Sequence, residues 1–113
     1  MDKKIETYQN IITKLLEEYA DSFNQSSKSI EAKLIFDFER LSFQLLNIGW
    51  RKGEYFFYVV FHLEIKNDKV WVNENRTDLL IAQMLVEEGI PKTDIVLGLQ
   101  SPETRAFSGY AIA

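Results

Sequence analysis

In the stretch Tyr55-Phe56-Phe57-Tyr58-Val59-Val60-Phe61-His62-Leu63-Glu64-Ile65, the residues Tyr55, Phe57, Val59, Phe61, Leu63 and Ile65 share one side of an extended chain. The other side begins aromatic at Phe56 and Tyr58 and turns polar at His62 and Glu64. A period of two in aromatic and β-branched residues predicts a strand. Apolar character on both sides predicts that it lies inside a sheet.

Working outward, Arg51-Lys52-Gly53 reads as a turn before it, and Asn67-Asp68 as a two-residue loop after it that tolerates positive φ and returns the chain into Val70-Trp71-Val72. Upstream, Ile30, Ala32, Leu34, Phe36 and Phe38 alternate with Glu31, Lys33, Asp37 and Glu39, a half-buried strand. The apolar phase then changes between Phe43, Leu45 and Leu46, Ile48, Trp50, which predicts a β-bulge near Leu45-Leu46. Four strands in an antiparallel meander result.

Before the meander, Tyr8, Ile11, Ile12, Leu15, Leu16, Tyr19 and Phe23 recur at spacings of three and four, so 3–23 is an amphipathic helix ending in the polar loop Asn24 to Ser29. After it, Asn75 or Thr77 is placed to cap a second helix carrying Leu80, Ile81, Met84 and Leu85, which Gly89 ends in a left-handed conformation. Ile95 to Leu99 reads as strand or buried coil, and Phe107 to Ile112 as a final extended segment. The expectation is one α+β domain over residues 1–113.

The bulk properties narrow the function. There is no cysteine, so disulfides, thiolate metal sites and cysteine nucleophiles are excluded. Thirteen basic residues against seventeen acidic ones give a net charge of -4, which disfavours direct, non-specific binding of nucleic acid. The N-terminus lacks the apolar run of a secretory signal, and the Tyr55–Phe61 run is far shorter than a membrane span, so a cytoplasmic protein is expected. The five glycines are isolated and form neither a phosphate loop nor a dinucleotide fingerprint, so no cofactor is expected.

Few residues are left to carry chemistry. His62 is the only histidine, with Glu64 two residues along on the same side of the strand. Glu74, Asn75, Asp78 and Asp94 offer oxygen ligands for a hard cation, but without calcium-loop spacing. Helix capping by Asn75 or Thr77, with Asp78 at the positive end of the dipole, explains most of the same residues. The alternate aromatics 55, 57 and 61 could stack bases, though core or subunit interface fits the acidic chain better.

Several runs also resemble a known family. Leu34-Ile35-Phe36-Asp37, Phe43-Gln44-Leu45-Leu46, Gly49-Trp50, Phe61-His62-Leu63-Glu64-Ile65, Lys69-Val70-Trp71-Val72 and the specific run Gly89-Ile90-Pro91-Lys92-Thr93-Asp94-Ile95-Val96-Leu97-Gly98 are similar to the XisI family. These are the fdxN-element excision controlling factors of cyanobacteria. The likeness extends to Pro102, Arg105 and Phe107 to Ala111. It implies a non-enzymatic accessory role beside a site-specific recombinase, with a XisH-like, nuclease-like protein as partner. Asn75, Asp78 and Gln100 depart from Asp, Glu and His that are frequent in the family. The expected functional surface comprises His62, Glu64, Asp78, Asp94 and Arg105, and a homodimer is plausible because so much aromatic surface is hard to cover within one chain. The alternative is a small metal-dependent nuclease or hydrolase using Asp37, Glu39, His62 and Asp94.

Overall fold

The computed structural model describes residues 2–113. Helix α1 (Lys3–Ser26) is followed by strands β1 (Ile30–Asp37), β2 (Ser42–Arg51), β3 (Glu54–Lys66) and β4 (Lys69–Asn75). Helix α2 (Ile81–Glu87), a 3-10 turn (Lys92–Asp94), a short β5 (Ile95–Val96) and a one-turn α3 (Pro102–Arg105) complete the chain. The sheet order is β1-β2-β3-β4-β5, antiparallel except for β5, which lies parallel to β4. The predicted meander is therefore present with one strand added, and β3 is its centre.

Both tight hairpins have the turn their sequences require. Lys52 and Gly53, like Asn67 and Asp68, have positive φ at both turn positions, the geometry whose twist matches paired strands. Gly49 is required for a different reason, since a Cβ there would stand 2.3 Å from the carbonyl oxygen of Ser29 where β1 begins.

One face of the sheet carries α1 and α2. Tyr8, Ile12, Leu15, Leu16 and Ala20 of α1 are buried with Phe43, Leu45, Phe61, Leu63, Val70 and Val72 of the sheet and with Ile81 and Leu85 of α2. Each Leu, Ile, Val or Phe among them contributes roughly 1.5–3 kcal/mol on leaving water, so this layer supplies most of the driving force.

The helix runs three residues further than its apolar stripe predicts. Asn24, expected in the loop, lies in its last turn, where its side chain both accepts from the Ala32 N–H at 2.8 Å and donates to the Ala32 carbonyl at 3.0 Å. It thereby occupies the outer edge of β1 as a strand would.

The bulge is where expected, at the step from Leu45 to Leu46, but the extra residue belongs to β3. Leu45 pairs with Phe61 and Leu46 with Val59, which leaves Val60 without a counterpart. This corrects the single-faced reading of β3. Phe61, Leu63 and Ile65 point into the core, whereas Tyr55, Phe57 and Val59 share the opposite, open face with Trp50 and Ile48. A second register shift leaves Asn73 of β4 unpaired between His62 and Leu63.

The C-terminal expectations need adjustment too. Phe107 to Gly109 form turns and bends, and only Ala111 makes a bridge, to Val96. The Ala111 N–H donates to the Ile95 carbonyl at 2.8 Å, which closes the β5 edge. No helix of the described residues is long and apolar enough to cross a membrane.

Candidate functional site

On the open face, the bulged Asn73 draws the central polar residues into a row. Its Nδ2 donates to Glu64 Oε1 at 3.0 Å and stands 3.5 Å from His62 Nδ1, while His62 Nε2 lies 3.0 Å from Ser42 Oγ. His62 and Glu64 are thus on one surface, as predicted, joined by an amide rather than in direct contact. The Ser42 hydroxyl can serve either ring tautomer, and the other ring nitrogen meets an amide. In a Ser-His-acid triad a carboxylate stands at that second nitrogen.

The other predicted residues lie elsewhere. Asp94 accepts from the Tyr8 hydroxyl at 2.5 Å and pairs with Lys4 at 3.1 Å, tying the 3-10 turn to the start of α1. Burial disfavours its charged form, yet the Tyr8 hydroxyl, the Lys4 ammonium and Lys69 outweigh that, and the carboxyl is held below the usual range. Burial, followed by the hydrogen bond to Asp94 and its charge, raises the Tyr8 hydroxyl well above an ordinary phenol. Asp37 accepts from the N–H groups of Glu39 and Arg40 and fixes the β1-β2 turn. The set Asp37, Glu39, His62 and Asp94 is therefore not assembled, and among the described residues no three His, Asp or Glu side chains are grouped to hold a metal.

Asp78 and Arg105 are structural neighbours of a different feature. Asp78 is exposed and precedes α2 rather than lying in its first turn. Asn75 and Thr77 do not cap that helix either, because Leu80 is its N-cap and makes no side-chain bond. Instead Asn75 accepts from the backbone N–H and hydroxyl of Thr77 and donates to the Leu79 carbonyl at 2.7 Å, which folds the β4-α2 loop on itself. Arg105 donates from Nε to the carbonyls of Leu97 and Gln100 and stacks over Trp71, 5.2 Å from the ring centroid. These contacts clamp the C-terminal segment against β4.

Between that loop and that segment opens a cleft of about 290 Å³, whose apolar wall includes Val72, Leu79, Leu80, Leu97, Leu99 and Tyr110. Asn75, Gln83 and Gln100 add polar groups to the lining, and the buried Gln100 Oε1 has no hydrogen-bond partner among the described residues. Leu80 is 68% exposed, and in the C-terminal segment Phe107 is 90% and Ile112 58% exposed. Periodicity assigned Leu80 to the core stripe of α2; the helix starts one residue later, which leaves it outside. Leu97 and Leu99, in the run read as strand or buried coil, line the cleft, and no local pattern marked it as a site.

Comparison with known proteins bears directly on this arrangement. The family model described as XisI protein matches residues 1–112.

The chain belongs to the XisI family.

Two crystal structures from Anabaena variabilis ATCC 29413 are similar to it. One, a XisI-like protein, shares 39% identity over 96% of this chain and 99% of its own, with a TM-score of 0.90. The other, the fdxN element excision controlling factor XisI, shares 32% identity over 98% of this chain and 100% of its own, with a TM-score of 0.86. No curated protein matches. Of the residues that the resemblance singled out, Asn75 and Gln100 line the cleft, whereas Asp78 lies in the loop before α2.

Proposed function

We propose that this chain is a non-enzymatic controlling factor that acts with a XisH-like partner, beside a site-specific recombinase, in excision of a DNA element, and that the partner docks at the α2 cleft. Family membership and the name of the Anabaena XisI support the first part. The observation that carries the second is the cleft itself: an apolar depression walled by the exposed Leu79, Leu80 and Leu99 is the kind of surface that marks a site where another molecule binds. A partner's apolar side chain would fill it while Asn75 and the free Gln100 oxygen fix its orientation.

The test is titration of the purified XisH-like companion into this protein, read by calorimetry, with Leu80→Asp and Leu99→Asp beside the parent. Both side chains are exposed, so stability should change by no more than about 0.5 kcal/mol. Loss of a central anchor costs about 2 kcal/mol or more, so affinity should fall more than tenfold. Unchanged affinity in both variants would move the interface elsewhere. Deleting residues 101–113 is a poorer test, because it also removes Arg105, Tyr110 and the Ala111 bridge that hold the sheet edge.

A further inference from the structure

The two ends of the sheet are guarded. The outer edge of β1 is occupied by the Asn24 side chain and carries alternating charges, and β5 is closed by Ala111. The exception lies in the middle. β3 pairs with β2 from Glu54 to Glu64, but β4 accompanies it only from Phe61 to Lys66. Beyond the bond from the Arg76 N–H to the Val60 carbonyl, no strand among the described residues pairs with the second side of the Glu54–Val59 half of β3.

The hairpin turn fixes which backbone groups are left over. In a two-residue turn the flanking pair, here Arg51 and Glu54, is hydrogen-bonded, so Glu54, Phe56 and Tyr58 face β2. The N–H and C=O groups of Tyr55, Phe57 and Val59 therefore point outward. This edge has none of the usual protection, since Tyr55 to Val59 contains no charge, proline or glycine. On its open face Trp50, Tyr55 and Phe57 are 63%, 51% and 60% exposed, with ring centroids 5.0 Å and 6.3 Å apart in succession.

We infer that a second copy of this chain pairs with that edge, antiparallel, β3 to β3, across a two-fold axis at Phe56. A two-fold normal to the sheet keeps open-face residues on the open face, so Tyr55 lies opposite the partner's Phe57 and about four backbone hydrogen bonds form. Trp50 and Tyr55 then continue into Phe57 and Ile48 of the second copy, an apolar row that occurs twice by symmetry. Three half-exposed aromatic side chains per copy, with the paired backbone, bury on the order of 1,000 Å² in all, the lower bound for a specific interface. The dimer is thus expected to dissociate on dilution through the micromolar range. It uses the backbone edge of β3 rather than the α2 cleft, and does not depend on the partner assigned there.

The experiment is sedimentation of the full chain over a range of concentrations, together with amide hydrogen exchange at low and high concentration. The parent should pass from monomer to dimer, with the Tyr55 and Phe57 amides becoming protected in step. Phe57→Lys, or Tyr55→Lys as a second exposed position, should weaken dimerisation more than tenfold while circular dichroism stays unchanged. A chain that remains monomeric throughout would overturn the inference, as would a dimer indifferent to both variants. So would a dimer in which these two amides still exchange freely, or protection that arises only when DNA or the XisH-like protein is added.

Discussion

The Asp94 cluster shows how a residue that looks catalytic can be explained by what it holds. Its carboxyl joins the Tyr8 hydroxyl and the Lys4 ammonium, connecting two segments far apart in sequence. Because the folded protein lowers the pKa of Asp94, this contribution is present above the ordinary carboxylate range and is lost as pH falls through the folded value. Tyr8 is shifted upward, so its contribution is present below the ordinary phenol range and is lost as pH rises through its own raised value. Melting temperature should therefore be level near neutrality and fall at both extremes. Tyr8→Phe should cost about 1–2 kcal/mol at neutral pH, and Asp94→Asn should flatten the acid limb; an unaltered acid limb would show that Asp94 is not the group responsible. At this same scale sequence reading was weakest, because Asp94 and Asp78 stand out by their chemistry and Arg105 by the family resemblance, while their surroundings are set by tertiary packing that no local pattern encodes.

At the scale of elements, reading went further, and its failures have physical causes. The α1 stripe, the two hairpin turns and the phase change at Leu45-Leu46 were legible because each is written in local periodicity or turn chemistry. The extra residue at Val60 was not, since Val59-Val60-Phe61 is apolar on both sides of the shift and alternation gives no mark of the step. The end of α1 was also missed. Asn24 and Ser26 favour loops in isolation, but the bonds from Asn24 to Ala32 repay the last turn of helix with a sealed sheet edge. Asn24→Ala should thus lower stability by about 1–2 kcal/mol and accelerate exchange of the Ala32 amide specifically. If that amide exchanges at its parent rate, the clamp has no energetic role.

For the whole molecule, the two faces of the sheet divide the work. The helical face is a core in which Phe43, Phe61 and Leu85 are wholly buried, and it accounts for stability. Outside it lie an aromatic strand edge and an apolar cleft, surfaces that a small acidic chain gains nothing from exposing unless they meet other proteins. The sequence pattern anticipated an interaction protein but placed its aromatics in one continuous layer, whereas the bulge separates core from docking surface. The claim that matters most is that this chain acts by holding a protein and not by contacting DNA itself. It is tested most directly by recovering the tagged chain from its own cells at moderate salt, with Leu80→Asp alongside, and quantifying both the nuclease-like companion and DNA. The account predicts a stoichiometric companion, no DNA, and loss of the companion in the variant. DNA recovered without the companion would contradict it.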